Sequence, residues 1–361
     1  MDYYNLGPYS WKVSTNSSDA QTWFDRGLNW IYAYNHEAAI ACFERALQAD
    51  PGCAMAHWGI AYAIGPNYNK PWEAFEADEK PAALALALDS IARAQALAET
   101  LTALERALIE ALHHRYPQDA GIEDFSPWND AYADAMRAVH ERHPENLDVC
   151  CLLAEALINR TPWQLWDLPT GKPAEGADTR EAVAIQEAAF AASEGAWNHP
   201  GLLHMYIHTM EMSPTPEKAL RHGDRLHQIG TEAGHLLHMA THIDVLCGDY
   251  ENVVARNRAA IIADRKFLQR EGAENFYSLY RCHNYHFMIY GAMFLGQPGP
   301  ALAMADELAT TIPEDFLRDM ADWLEGFLPM KQHVLIRFGR WQDILEQELP
   351  ADTDLYRVTY A

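Results

Sequence analysis

The stretch that decides the fold reads WFDRGLNWIYAYNHEAAIACFERALQADP and spans residues 23–51. Small residues recur between its large aromatic ones, at Gly27, Ala39 and Ala46. Because small side chains allow two helices to approach closely, the stretch predicts a pair of antiparallel helices. Ser18 or Asp19 is expected to cap the first helix, and Asp50-Pro51 ends the second, since proline cannot continue a helix.

The same spacing is typical of the tetratricopeptide repeat, a unit of about 34 residues built from two antiparallel helices. Ala20 is then position 1 of the first unit, and the register can be carried forward along the chain. Turn and second-helix residues predict further units that begin at Pro200, Gly234, Cys282 and near Glu325. About fourteen extra residues, 266–279, precede the unit at Cys282.

Between these repeats the chain departs from the consensus. Residues 72–160 are rich in alanine and leucine at helical spacing, which predicts helical hairpins of undetermined pairing. Residues 162–177 combine two tryptophans with prolines and glycines, and we predict a loop there. We expect an all-α fold, a tetratricopeptide-type α-solenoid of stacked antiparallel helical hairpins with a concave groove. It is predicted as one domain over 1–361, with N-terminal repeat units (1–69), divergent hairpins and the loop (70–198), and C-terminal repeat units (199–361).

Composition restricts the kinds of partner. With 27 basic and 51 acidic residues the formal charge is −24, which repels nucleic acid and anionic membrane surfaces. We find no apolar run of bilayer-crossing length and no secretory leader pattern. The six cysteines form no CxxC pair and no regular framework, which favours reduced, mostly buried thiols. A soluble, cytoplasmic protein without nucleic-acid or membrane partners is therefore expected.

Three clusters of histidine stand out between residues 200 and 286. Their members lie three or four residues apart, so each cluster shares one face of a helix. A neutral imidazole nitrogen coordinates transition metals at physiological pH. The clusters therefore predict a set of metal ligands, namely His204, His208, Glu211, His235, His238, His242, His283 and His286.

The tetratricopeptide register places all these residues on one surface. As the resemblance to tetratricopeptide arrays implies, positions 2, 5, 9 and 12 of each first helix line the concave groove, and every cluster member takes one of them. The register rests on Ala219 and the turn at Gly248, not on the histidines. A lone histidine is usually a hydrogen-bonded surface or core residue; this is the favoured interpretation for His36 and His333, while the role of His57 is left open. Three clusters in one groove instead predict a metal site.

The chemistry expected of this site follows from the number and type of ligands. Eight ligands exceed what one zinc ion takes, so two metals, or one metal with catalytic histidines, fit better. Glu211 is the one carboxylate, which disfavours a carboxylate-bridged di-iron site and favours copper or a histidine-rich iron site, with zinc retained. We expect a metal-dependent oxidoreductase or oxygenase acting on a small molecule, with Glu211, Tyr206 and Tyr290 as catalytic groups.

Several segments carry a resemblance to one family. They are Phe24 to Leu28, Asn35 to Ala38, Cys53 to Ala61, His199 to His208, His235 to Ile243 and His283 to Phe287. Over nearly the whole chain these segments resemble bacterial tetratricopeptide repeat proteins of the kind called tetratricopeptide repeat protein 38-like. The resemblance implies an all-helical solenoid and no particular activity. Such relatives often read His-Met-Pro-x-His where this chain has Ala240, so a proline kink is missing beside the predicted ligands.

Other functions use the same residues. A zinc-dependent hydrolase or lyase would need the same ligands, with Glu211 as a base. A scaffold that binds a peptide or protein is the usual role of tetratricopeptide arrays, but the groove positions here carry histidine, glutamate and tyrosine. Lysine, arginine and asparagine would be typical of a groove that clamps acidic peptide ends. Metal storage or delivery without turnover is a third function, and a homo-oligomer is left open.

Overall fold

The computed structural model describes residues 3–97, 99, 101–118, 123–352, 355 and 356. Helices account for most of these residues, and the strands among them are two residues long. The predicted all-α class is therefore confirmed. The helices are α1 (Ser18–Tyr32), α2 (His36–Ala49), α3 (Ala54–Ala63), α4 (Glu79–Ala96), α5 (Ala103–His113), α6 (Ser126–Arg142), α7 (Leu147–Ile158), α8 (Thr179–Ala192), α9 (Pro200–Met210), α10 (Leu220–Gln228), α11 (Gly234–Cys247), α12 (Tyr250–Glu271), α13 (Tyr277–Phe294), α14 (Pro298–Thr310), α15 (Glu314–Asp319), α16 (Ala321–Leu324), α17 (Met330–Arg337) and α18 (Trp341–Leu345).

The chain folds into two compact units, and each is described by itself. The N-terminal unit is Leu6–Ile229 and contains α1 to α10. The C-terminal unit is Gly230–Ala361 together with Met1–Asn5, and it contains α11 to α18. The expectation of one domain over the whole chain stays a prediction.

The first helices form the hairpin that the opening stretch predicts. α1 packs along α2, and α3 packs against both. Phe43 of α2 lies where the three helices meet, since a Cβ atom added at Gly27 or at Gly59 would stand 2.6 Å from its ring. The Phe43 side chain is fully buried there. Two glycines on neighbouring helices therefore make room for one large aromatic residue.

The ends of this hairpin follow local polar signals. Ser17 caps α1, because its side chain accepts a hydrogen bond from the backbone N–H of Ala20. The predicted cap at Ser18 or Asp19 is therefore wrong by at least one residue: Ser17 keeps the extended backbone of a cap, and the helix has already begun at Ser18. Asp50 ends α2, as predicted.

The divergent middle segment forms helices that pack in chain order. α4 packs on α3, and each following helix up to α8 packs on the one before it. The predicted loop over 162–177 also contains a short antiparallel ribbon of β1 (Trp166–Asp167) and β2 (Lys172–Pro173). Gly171 turns the chain between the strands with a φ of 65°, a left-handed conformation that glycine adopts without strain. The loop prediction missed this ribbon, because two-residue strands leave no alternating pattern.

The C-terminal unit stacks the hairpins α11–α12, α13–α14 and α17–α18. α11 packs against α13, and α13 packs against α17, so the first helices of successive hairpins are neighbours. Each of these helices ends at a left-handed glycine, with φ values of 78°, 67° and 64° at Gly248, Gly296 and Gly339. The predicted inter-helix turns lie at these glycines. α17 begins at Met330, a few residues after the predicted start near Glu325.

The predicted starts of the earlier units can be compared with the helices. α9 begins at Pro200 and α11 begins at Gly234, as the register predicts. α13 begins at Tyr277, so the predicted start at Cys282 is wrong. The physical reason is that the inserted residues 266–279 are largely helical, and they lengthen both α12 and α13.

The buried apolar residues lie on the faces where helices pack against one another. In the C-terminal unit a buried apolar cluster includes Tyr285 and Ile289 of α13 with Leu308 of α14, and removal of this surface from water stabilises the stack. Five of the six cysteines are buried, as predicted, and Cys247 is exposed. Among the described helices, none is both long enough and apolar enough to cross a bilayer.

Candidate metal centre

Helix α11 carries histidines inside the C-terminal unit. Its residues from Gly234 to Asp244 are all buried, because α12 and α13 both pack against it. A helix buried on all sides is usually apolar. Burial of a histidine there costs free energy unless its ring nitrogens find partners. The partners of these nitrogens therefore define the site.

Three imidazole nitrogens face one another between α11 and α13. Nε2 of His242 lies 2.9 Å from Nε2 of His238 and 3.2 Å from Nε2 of His283. The ligand atoms of all three lie within 4.8 Å of one another. His238 and His242 are buried and His283 is half-buried. We call these three residues the histidine triad.

Asn257 of α12 fixes the tautomer of His238. Its Oδ1 lies 2.7 Å from Nδ1 of His238. Its Nδ2 donates to the backbone oxygen of Val253 at 2.8 Å and to Oγ1 of Thr241 at 3.2 Å, which identifies the oxygen of the amide. Because an amide oxygen can only accept, Nδ1 of His238 carries the proton. Nε2 of His238 therefore directs a lone pair at the triad.

The spacing of the triad nitrogens suits a bound ion. An ion about 2.0–2.1 Å from each Nε2 would have N–metal–N angles of about 90° and about 100° at the two measured spacings. Between neutral rings, His242 can give its one Nε2 proton to His238 or to His283. A hydrogen bond thus accounts for one of the two short spacings, whereas one ion accounts for both.

Phe287 of α13 packs against all three rings of the triad. Its ring centroid lies 4.7 Å from that of His283, 4.8 Å from that of His238 and 4.9 Å from that of His242. The aromatic ring covers part of the triad with apolar surface and restricts the imidazoles. Phe287 was not predicted as a site residue, because a phenylalanine at helical spacing is typical of core packing.

Asn257 was not predicted either, although the register contains a signal for it. With Ala20 and Gly234 as position 1 of their units, Phe43 and Asn257 both take position 24. The first unit buries a phenylalanine at this position, and the C-terminal unit buries an amide, with 0% of Asn257 exposed. A polar side chain at a core position of a repeat needs a hydrogen-bond partner, and His238 provides one.

The other predicted ligands of the C-terminal unit lie beside the triad. The His235 ring is stacked 6.0 Å from that of His238, and the His286 ring lies 6.5 Å from that of His283. Burial, together with the charge of His333, lowers the pKa of His286. The structure therefore brings together three of the five ligands predicted in this unit, and the ligand roles themselves stay predictions.

A buried polar network holds the start of α11. The backbone N–H of His235 donates to the hydroxyl of Tyr277, and that hydroxyl donates to Oδ1 of Asp264 at 3.2 Å. Nδ2 of Asn284 donates to Oδ2 of Asp264 at 2.7 Å. Burial raises the pKa of Asp264 to about 6. Because Asn284 follows His283, this network links the backbone on both sides of the triad.

The first histidine cluster lies in the N-terminal unit, on α9. His204 and His208 are buried, with ring centroids 4.7 Å apart. Nδ1 of His204 lies 2.7 Å from the backbone oxygen of Tyr32, and Nδ1 of His208 lies 2.7 Å from Oε1 of Glu211. Glu211 is the C-cap residue of α9. The structure thus places the predicted carboxylate ligand against a histidine nitrogen.

The two tyrosines predicted as catalytic groups make other contacts. The hydroxyl of Tyr206 donates to Glu187 at 3.0 Å, and its ring packs 4.1 Å from that of His222. Tyr290 is 36% exposed and packs against Phe294. None of these contacts involves a predicted metal ligand. The catalytic roles of Tyr206, Tyr290 and Glu211 stay predictions.

Asp244 and His36 lie outside the triad, and their contacts are typical of residues that stabilise the fold. Asp244 forms a buried salt bridge with Arg256 at 3.0 Å, which joins α11 to α12. His36 is half-buried in the N-terminal unit beside Tyr34, and desolvation lowers its pKa to about 3. A histidine that stays neutral in this way is typical of core packing.

Comparisons with known proteins give structural matches but no sequence match. No protein-family model matches the sequence, and no curated protein matches it. Among solved structures, the chain is similar to the tetratricopeptide (TPR) domain of P58(IPK), at 14% sequence identity and a TM-score of 0.22. The alignment covers 91% of this chain and 99% of that one. The hairpin packing within each unit, rather than this likeness, identifies the tetratricopeptide-type fold.

Proposed function

We propose that this protein binds a transition-metal ion at the histidine triad of a tetratricopeptide-type helical fold. The observation that carries the proposal is the spacing of the three Nε2 atoms, at 2.9 and 3.2 Å, between α11 and α13. The hydrogen bond from His238 to Asn257 supports it, because metal-bound histidines commonly donate their other ring N–H to such an acceptor.

The donor set restricts the ion. The triad offers three neutral imidazoles and neither a thiolate nor a carboxylate. Calcium and magnesium prefer oxygen ligands, so they fit poorly. Imidazole suits copper, iron and zinc, and among divalent ions copper binds such donors most tightly. The proposed ion is therefore copper or iron, with zinc as the alternative.

The geometry of the triad would leave room for chemistry at the ion. Three protein ligands would leave coordination positions on an ion open for water, dioxygen or a substrate. Phe287 adds apolar surface next to the ligands. The proposal thus extends to an oxidoreductase that acts on a small molecule.

Partner binding is the second candidate function, and the hairpin fold supports it more directly than it supports catalysis. Arrays of helical hairpins commonly present extended binding surfaces. On α13, Tyr290 and Phe294 are 36% and 45% exposed, and Phe294 also stacks on Tyr250. Exposed neighbouring aromatic rings are typical of protein interfaces.

Metal analysis of protein purified without a histidine tag tests the proposal. We expect His242→Gln and His283→Gln each to lose about one equivalent of copper, iron or zinc per chain relative to the unmodified protein, measured by inductively coupled plasma mass spectrometry. His333→Gln is the matched control, since His333 is an exposed histidine of the C-terminal unit that is not among the predicted ligands, and it should keep the metal.

Either of two outcomes would contradict metal binding at the triad. One is unmodified protein that stays metal-free after incubation with copper, iron and zinc salts. The other is an unchanged metal content in both triad variants. Metal-free protein that still binds a protein partner through Tyr290 and Phe294 would favour the scaffold function.

A further inference from the structure

Two histidines of the N-terminal unit form a second, differently built cluster. His204 and His208 lie one turn apart on α9, and their ligand atoms lie within 4.8 Å of each other. Both are buried, with 0% and 1% of their surface exposed. The triad residues form a separate group of candidate ligands.

Both rings are held in the same tautomer. The acceptor at Nδ1 of His204 is the backbone oxygen of Tyr32, and the acceptor at Nδ1 of His208 is the carboxylate of Glu211, each at 2.7 Å. A carbonyl oxygen and a carboxylate can only accept, so each Nδ1 carries a proton and each Nε2 carries the lone pair. A carboxylate on the distant nitrogen also raises the basicity of the coordinating one.

Two strained residues place aromatic rings on this histidine pair. Among the described residues other than glycine, Tyr34 and Trp163 are the ones with positive φ, at 54° and 61°. The Tyr34 ring lies 4.7 Å from that of His204 and stacks 5.7 Å from that of His208. The Trp163 ring stands edge-on, 6.0 Å from that of His208. Tyr68 adds a third ring, 4.9 Å from that of His208.

The two strained residues both lie next to His208, which indicates a ligand-binding site. A left-handed backbone is strained for an L-residue, and such strain clusters at ligand-binding sites. Ordinary core packing would explain two buried, hydrogen-bonded histidines. It does not explain why both strained residues, from separate segments of the chain, present an aromatic ring to the same imidazole.

We infer that His204 and His208 bind a copper(I) ion through their Nε2 atoms, within a cup formed by Tyr34, Tyr68 and Trp163. The two neutral imidazoles that α9 provides and the apolar wall suit copper(I), an ion of low charge that needs few ligands. Imidazole is a good copper ligand. Two nitrogens at opposite sides of one ion, with bonds of about 2 Å, would be about 4 Å apart, which the observed limit of 4.8 Å allows.

Glu211 acquires a different role in this site from the predicted one. Its carboxylate contacts Nδ1 of His208, so it positions the imidazole and supplies a compensating negative charge rather than binding the ion. The site goes beyond the proposed function, because it needs no residue of the triad. Metal binding at the two sites can therefore be tested separately.

Anaerobic titration with copper(I), in competition with bathocuproine disulfonate, tests the site in full-length protein. The triad is first disabled by the double substitution His242→Gln and His283→Gln. In this background we expect one equivalent of copper(I) per chain, and we expect it to be lost on His208→Phe. Glu211→Gln should keep the stoichiometry but weaken the affinity by roughly 10- to 100-fold, as for other residues that orient a ligand.

A matched control and a second readout keep the test decisive. His222→Phe replaces another buried histidine of the N-terminal unit, packed among aromatic rings, and should keep the copper. Circular dichroism identifies any variant that fails to fold. X-ray absorption of the loaded background protein should then show low-coordinate copper bound by nitrogen.

Absence of copper binding in the triad-disabled protein, or binding that survives His208→Phe, would overturn the second site. Neither result concerns the triad, whose failure would appear instead as an equal metal content with and without the triad substitutions.

Discussion

Oδ1 of Asn257 lies 2.7 Å from Nδ1 of His238, and this one contact links the two helices of a hairpin to the proposed metal centre. Asn257 belongs to α12, the second helix, whereas the triad belongs to the first helices α11 and α13. The second helix therefore takes part in the site by orienting a ligand. The same amide is fixed by Val253 and Thr241, so its direction is set before any ion binds.

Replacement of Asn257 tests this orienting role. Asn257→Ala should weaken metal binding by roughly 10- to 100-fold without changing the stoichiometry, because the imidazole loses its fixed tautomer while the three ligands remain. Asn257→Asp keeps an acceptor at Nδ1 and should restore most of the affinity. Competition titration with a chromogenic chelator gives both values. Asn252→Ala, at a half-buried position of the same helix, is the control, and an equal loss there would disprove a specific role for Asn257.

Phe287 is expected to control how fast the metal leaves. Its ring covers part of the triad, so Phe287→Ala should admit water and raise the rate of metal loss to a chelator by about tenfold. Stopped-flow absorbance with an excess of chelator measures the rate. Phe294→Ala on the same helix removes an exposed ring that stacks on Tyr250 and Tyr290, and it should leave the rate unchanged. Equal rates in both variants would mean that Phe287 does not shield the site.

Gly234 tests the close packing at the start of α11. A Cβ atom there would lie 2.0 Å from Oδ1 of Asp264 and 3.1 Å from the backbone oxygen of Ala260. Gly234→Ala must therefore displace Asp264 and disturb its hydrogen bonds, and we expect the free energy of unfolding to fall by about 2 kcal/mol in urea titrations. Gly299→Ala on α14 is the control, because its Cβ meets nothing within 4 Å. A stability loss no greater than the control's would contradict this account of the contact.

The stability of the N-terminal unit should depend on pH through His222. Burial lowers the pKa of His222 to about 4, whereas an unfolded histidine titrates near 6.5. The folded state thus binds fewer protons in this range, so the contribution to stability is present above pH 6.5 and is lost as the pH falls toward 4. We expect His222→Phe to reduce the loss of unfolding free energy between pH 7 and pH 5 by about 1 kcal/mol, allowing for solvent screening.

Thermal or urea unfolding at both pH values measures this effect. His114→Phe replaces an exposed histidine and serves as the control. An identical pH dependence in His222→Phe and in the unmodified protein would show that His222 titrates normally in the folded state.

Local signals explain why much of the fold could be predicted. The starts of α9 and α11 at Pro200 and Gly234 follow from the register set by Ala219 and by the turn at Gly248, which each lie in the same unit as the helix start. The start of α13 was not predicted, because Gly272, which ends α12, lies within the residues taken as an insertion, and residues 277–279 extend α13 before the predicted start at Cys282.

Some residues of the candidate site could also be predicted from the sequence, and others could not. His238 and His242 share a face of α11 by their spacing, and the repeat register assigns His283 to the same groove from the next unit, so the sequence predicts the three as neighbours. The contacts of Glu211 depend on the end of α9, where the chain turns and sets the carboxylate against His208. Asn257 and Phe287 enter through packing between helices, and their residue types are too common in helices to mark a site. Only the unusual amide at repeat position 24 was available as a signal.

A crystal structure of protein loaded with one equivalent of cobalt(II) or zinc(II), with anomalous scattering recorded at the metal edge, tests the central claim most directly. We predict an anomalous peak about 2.0–2.2 Å from Nε2 of His238, His242 and His283 at once. A fully loaded crystal with no peak within bonding distance of these three nitrogens would contradict the claim.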